Sequence, residues 1–108
     1  MSHPLGYYTN FTVKDAGTPL DILEKKFGAY LELLTRPDKY AFLATLSQYM
    51  AVHACLGGQY RLIEAFENVG CQLNPQLVKM FDDLETLSST DIIGLCQALI
   101  DQIRHPNH

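Results

Sequence analysis

A stretch of 21 residues, from Tyr40 to Tyr60, contains no Asp, Glu, Lys or Arg, and it constrains the fold more than any other part of the sequence. Its length would suffice to cross a bilayer, but Gln48, His53 and a Gly-Gly pair make it too polar for lipid. A helix that carries no charge on any side is instead surrounded by protein. The run therefore predicts a helix that lies at the centre of its own bundle or that contacts another subunit.

Capping residues and prolines predict where helices begin. Thr18 precedes Pro19 and Asn74 precedes Pro75. Thr and Asn side chains cap the N-termini of helices, and proline is favoured at the first helical position because its missing N–H has no partner there in any case. Apolar residues then recur every three or four positions, which is the helical period. We expect five helices, opening near Thr18, Pro37, Gln59, Asn74 and Ser88.

These elements predict an all-α fold, a compact bundle of four to five helices with an extended N-terminal arm. Residues 1–17 form the arm, because aromatic and β-branched residues favour extended backbone. Residues 18–104 form a single helical bundle domain, since a chain of 108 residues has room for one core, and residues 105–108 form a frayed tail. In the first helix one apolar stripe continues from Leu20 to Leu34, and in the fourth from Leu77 to Leu87.

Three widely spaced cysteines indicate the compartment. An odd number of cysteines without a paired pattern favours free thiols and hence a cytoplasmic location. Cys55 and Cys96 are expected to be small core residues, which is the usual environment of free cysteines. Cys71 follows Gly70 in a predicted loop, where it is either partly buried or an exposed, redox-active thiol.

Charge and motifs exclude several classes of function. The net charge is −4 and the basic residues are scattered, so nucleic acid is not an expected partner, and neither is a membrane. No motif for nucleotide, calcium or di-iron binding is present, and no close pairs of ligands suggest a metal site. His3, His105 and His108 lie near the chain ends and His53 lies within a predicted helix, so no nucleophile is expected beside a base and an orienting group. We therefore expect a protein that is not an enzyme and that has no cofactor and no metal.

The second predicted helix suggests a function. Its small residues fall on one stripe, where another backbone can approach closely, while tyrosines suit contact surfaces because each combines a buried ring with one polar group. We expect a small non-catalytic protein-protein interaction protein, an adaptor, assembly factor or regulator, that forms a homodimer through this helix and the N-terminal arm. The predicted interface comprises Tyr8, Phe11, Ala44, Gln48, Tyr49 and Ala51.

An alternative function is that of a small-ligand binder or sensor. The second and fifth predicted helices both carry apolar stripes and would enclose a pocket if they were neighbours. The residues that would line this pocket are Met50, His53, Leu56, Cys96 and Leu99.

Overall fold

The computed structural model describes residues 18–105, which form six helices and no strand, so the predicted all-α class is confirmed. The predicted N-terminal arm and the last three residues lie outside this range. The helices are α1 (Pro19–Phe27), α2 (Arg36–Leu56), α3 (Leu62–Val69), α4 (Pro75–Val78), α5 (Phe81–Leu84) and α6 (Ser89–Arg104).

Helix α1 begins as predicted but ends early. The Thr18 hydroxyl accepts a hydrogen bond from the backbone N–H of Asp21 at 3.4 Å. The helix stops at Phe27 because Gly28 adopts a φ of 94°, a conformation that cannot continue a right-handed helix. The expectation of one helical stripe from Leu20 to Leu34 is therefore wrong.

Two of the three leucines between α1 and α2 are nevertheless buried. Leu31 is 0% exposed and Leu34 is 4% exposed, although both lie in the loop before α2. Leu31 has a φ of 54°, and the N–H of Leu33 donates to the carbonyl of Phe27 at 3.0 Å. The chain thus turns back on itself and keeps these apolar side chains on the core side without a helix.

Helix α2 covers the segment that was predicted for it. The Thr35 hydroxyl accepts from the N–H of Asp38, whose carboxylate accepts from the N–H of Thr35, each at 3.2 Å. Gly57 ends the helix with a φ of 64°, and its N–H donates to the carbonyl of His53. The start was predicted from Pro37 and the end from Gly57 and Gly58, which are local signals, whereas the Thr35–Asp38 cap was not part of the prediction.

The later helices differ more from expectation. The third helix starts at Leu62 rather than at Gln59, and the fourth predicted helix is divided into α4 and α5 by a break at Lys79 and Met80. Helix α6 follows Ser88, whose hydroxyl accepts from the N–H of Asp91 at 3.2 Å.

Helix α2 packs against both α3 and α6 and so organises the fold. It runs antiparallel to α6, because Arg36 at the start of α2 donates to the carbonyl of Ile103 near the end of α6 at 2.8 Å. The largest fully buried side chains include Phe42 from α2, Phe81 from α5 and Leu95 from α6. Within residues 18–105, no helix has the length and apolarity needed to cross a membrane.

Candidate functional site

Helix α2 buries one side and exposes the other. Its buried residues are Ala41, Phe42, Thr45, Leu46 and Tyr49. The opposite side carries an exposed row at helical spacing, which we call the α2 outer face: Tyr40, Ala44, Ser47, Ala51, Ala54 and Cys55. The sequence left open whether this helix is enclosed or presents a surface, and within the described chain it does both.

The α2 outer face has no formal charge along its length. Large side chains stand at its two ends, where Tyr40 is 52% exposed and Leu56, one residue beyond the face, is 81% exposed. Between them the side chains are small, so a second backbone can come close. At the first turn the Arg36 guanidinium lies 5.6 Å from the centroid of the Tyr40 ring, and one of its nitrogens is 3.5 Å from the Tyr40 hydroxyl.

The predicted interface residues fall in three environments. Tyr8 and Phe11 lie outside the described residues. Ala44 and Ala51 are exposed on the α2 outer face, and Gln48 is half-buried at its edge.

Tyr49 differs from the other predicted interface residues, since it lies on the buried side of α2 and is 8% exposed. Its ring centroid is 4.4 Å from that of His53. Burial raises the pKa of Tyr49, and the nearby Glu85 carboxylate raises it further. Tyr49 thus contributes its ring to the interior of its own domain.

The residues predicted to line a ligand pocket are spread over different depths. Leu99 is 0% exposed, Met50 and His53 are half-buried, and Leu56 projects into solvent. Cys96 is half-buried, and burial raises the pKa of its thiol to about 11.

His53 is held by the chain that follows α2. Its Nε2 lies 2.8 Å from the carbonyl oxygen of Tyr60, so Nε2 carries a proton and donates it. Tyr49 and Tyr60 also lie beside the imidazole, with ring centroids at 4.4 and 6.5 Å. This contact joins the last turns of α2 to the segment leading into α3, as expected for a histidine with a satisfied hydrogen bond.

An open pocket of about 280 Å³ lies at α3, and sequence reasoning did not identify it. Its lining residues are Tyr60, Glu64, Glu67 and Asn68. The Asn68 amide donates to the Tyr60 hydroxyl at 2.6 Å, and the Glu64 carboxylate accepts from the N–H of Arg61 at 2.9 Å. The sequence does contain a signal for this pocket. Its four lining residues are separated by four, three and one positions, which places their side chains on one side of a helix and its preceding turn.

Two of the three cysteines are exposed. The expectation that Cys55 is a core residue is wrong, because the last turns of α2 project beyond the core. Cys71 is exposed in the loop after Gly70. Among residues 18–105, no group of three or more His, Cys, Asp or Glu side chains is arranged to hold a metal ion.

Comparison with known proteins adds no relative from which a function could be transferred. No protein-family model, curated protein or solved structure matches this chain. Functional inference therefore depends on the chemistry of the surfaces described above.

Proposed function

We propose that this protein is a small non-catalytic interaction protein, an adaptor, assembly factor or regulator, that acts as a homodimer through the α2 outer face. The observation that carries the proposal is the exposed, uncharged row from Tyr40 to Cys55, which ends beside an exposed Leu56. Surface helices of a protein with a net charge of −4 are expected to present charged residues to water. A face without them is suited to contact with protein.

A second copy of this protein is a suitable partner for the α2 outer face for electrostatic reasons. In a two-fold dimer the same patch meets itself, so a charge close to the two-fold axis would lie near an identical charge. The α2 outer face avoids that repulsion because it carries no charge. Its Ala and Ser side chains also let two copies of α2 approach closely, with Tyr40 and Leu56 packing at the ends.

The α2 outer face is too small to form a stable interface by itself, so the proposed homodimer requires a second segment. From Tyr40 to Leu56 the helix is about 24 Å long and roughly 10 Å wide, a footprint of about 240 Å². Stable interfaces usually bury about 800 Å² on each partner. We assign part of the remainder to the N-terminal segment, where Tyr8 and Phe11 supply large apolar rings.

Solution mass tests the homodimer. Light scattering behind a sizing column, with reductant present, is expected to give twice the chain mass of 12.2 kDa. The variant Ala51→Glu places a carboxylate on the α2 outer face of both copies and is expected to be monomeric. The matched control Gln97→Glu adds the same charge to an exposed position of α6 and is expected to remain dimeric.

Each result has a defined meaning. Ala51 and Gln97 are both exposed in the single chain, so both variants should keep the wild-type helix content by circular dichroism. A wild-type monomer at all concentrations would overturn the homodimer, as would an Ala51→Glu protein that still dimerises with unchanged affinity. The double variant Tyr8→Ala/Phe11→Ala should weaken dimerisation, and an unchanged dissociation constant would remove the N-terminal segment from the interface.

A further inference from the structure

The last turn of α6 contains a buried amide that has no hydrogen-bond partner within residues 18–105. The Gln102 side chain is 3% exposed, and neither its amide nitrogen nor its amide oxygen is paired with a group in this described part of the chain. Buried polar groups in folded proteins are nearly always paired, because an unpaired group loses its hydrogen bonds to water and gains nothing in return. The docked position of this turn therefore carries an energetic penalty.

Little apolar burial offsets that penalty. Gln102 is the one buried residue among residues 100–105, whereas Leu95, Ala98 and Leu99, one or two turns earlier, are fully buried. Helix α6 thus has fully buried apolar side chains as far as Leu99 and none between Leu99 and its end. Its earlier part is fixed by the core, whereas its last turn has one buried side chain, the polar Gln102.

An arginine from another helix holds the last turn in place. Arg36 lies 67 residues earlier in the chain, and its Nη1 donates to the carbonyl oxygen of Ile103 at 2.8 Å. This carbonyl is among the last four of α6, which have no partner within the helix. In the single chain both Arg36 and the Tyr40 ring beside it are exposed, so water competes for this bond there.

We propose that residues 101–104 form a latch that detaches from the domain while the rest of α6 remains docked. Detachment hydrates both polar atoms of Gln102 and breaks the bond from Arg36 to the Ile103 carbonyl. Reattachment restores that bond and buries the amide again. The core residues Leu95 and Leu99 keep the earlier turns in place, so the opening is local and does not require unfolding of the domain.

Native-state hydrogen exchange of the full chain, followed residue by residue by NMR, tests the latch. The backbone amides of residues 102–105 should exchange through a local opening, much faster than those of Leu95 and Leu99. The variant Gln102→Met replaces the unpaired amide by an apolar side chain of similar length, which stabilises the docked state. Exchange of the last-turn amides should then slow by about tenfold or more.

Two further variants separate the latch from ordinary fraying of a helix end. Gln97→Met makes the same substitution at an exposed position of α6 and should leave last-turn exchange unchanged. Arg36→Gln, whose shorter side chain cannot reach the Ile103 carbonyl, should speed exchange of the same amides and leave that of Leu95 unchanged.

The proposal fails if the wild-type last-turn amides exchange only with global unfolding. It also fails if Gln102→Met slows the exchange of every amide equally, or if it has no more effect on the last turn than Gln97→Met. Should Gln102→Met not fold, the comparison of Arg36→Gln with wild type still decides, because unchanged last-turn exchange in that variant overturns the latch.

Discussion

Gly28 shows how one residue fixes the end of an element. Its φ of 94° and ψ of 158° lie in a region that is nearly exclusive to glycine. A Cβ at this position would overlap the Glu32 carboxylate, which accepts a hydrogen bond from the N–H of Tyr30 at 3.0 Å. We expect Gly28→Ala to lower the free energy of unfolding by about 3 kcal/mol, from backbone strain and loss of that bond. Urea denaturation followed by circular dichroism measures the change.

Gly70 provides the matched control for that substitution. Its φ of 76° also favours glycine, but a Cβ there would meet no atom within 4 Å. Gly70→Ala should therefore cost only the strain of a left-handed residue, about 1 kcal/mol. Equal losses in the two variants would mean that neither the backbone conformation of Gly28 nor the displacement of the Glu32 carboxylate costs more than a left-handed alanine.

The three thiols should differ in reactivity. Burial raises the pKa of Cys96 to about 11, two units above the ordinary value of 9.0, so its thiolate is about a hundredfold scarcer than that of an unperturbed thiol. Cys55 and Cys71 are exposed. Because Cys55 lies on the proposed dimer surface, iodoacetamide at pH 8 should label Cys71 first in the folded wild-type protein. Cys55 should label faster in the monomeric Ala51→Glu variant than in the wild-type dimer, and Cys96 should label more slowly than Cys71. Peptide mass spectrometry over a time course gives the three rates.

The pH dependence of labelling tests the cause of this difference. The rate at Cys96 should rise about tenfold per pH unit and level off only near pH 11, because the reactive species is the thiolate. Fast labelling of Cys96 at pH 8 would contradict its burial. Labelling of Cys71 much faster than that of Cys55 in the monomeric Ala51→Glu variant, where both thiols are exposed, would instead favour the redox-sensor hypothesis.

At the scale of elements, Asp38 caps two helices at once. One carboxylate oxygen accepts from the N–H of Thr35 at 3.2 Å, at the start of α2. The other accepts from the N–H of Asn74 at 3.1 Å, just before α4. We expect Asp38→Ala to cost about 2 kcal/mol of unfolding free energy, because two backbone donors lose their partner.

Two further variants serve as comparisons for Asp38→Ala, and thermal and urea denaturation measure the stability of all three. Thr18→Ala removes a single, longer cap bond at the start of α1 and should cost about 1 kcal/mol or less. Asp38→Asn keeps one side-chain oxygen and should fall between the two. If Asp38→Ala costs no more than Thr18→Ala, the bond to Asn74 contributes nothing measurable.

Sequence patterns predicted those element boundaries that depend on neighbouring residues. The caps at Thr18 and Ser88 act over three residues, and both are present in the structure. The end of α1 was not predictable in this way, because Leu31 and Leu34 keep the helical period while lying in a loop. The break between α4 and α5 occurs at Lys79 and Met80, where no Pro or Gly marks it.

The candidate site was predictable in composition but not in orientation. The small residues of α2, such as Ala44 and Ala51, could be placed on one stripe from their spacing alone. That this stripe faces solvent depends on where α3 and α6 pack against α2, which is long-range information. The same limit explains Tyr49, which is close in sequence to the exposed residues and yet lies on the opposite side of the helix.

At the scale of the whole molecule, the shortest helices depend on the rest of the fold. Helices α4 and α5 have four residues each, too few to form in isolation because helix nucleation is costly. They are held by side chains that enter the common core: Leu77 is 0% exposed, Phe81 is 2% exposed and Leu84 is 1% exposed. This segment and the long helices should therefore unfold together.

The variant Leu77→Ala tests that cooperativity. Removing a fully buried leucine should lower the free energy of unfolding by about 3 kcal/mol, since it leaves a cavity as well as losing apolar contact. The control Val78→Ala changes the neighbouring half-buried residue and should cost about 1 kcal/mol. Circular dichroism, dominated by α2 and α6, and alkylation of Cys96 in α6 should show the same transition midpoint in each variant. A substitution in α4 would then destabilise α6, which it meets only through the core. A Leu77→Ala protein whose α6 probes kept the wild-type midpoint would instead show that the α4–α5 segment unfolds on its own.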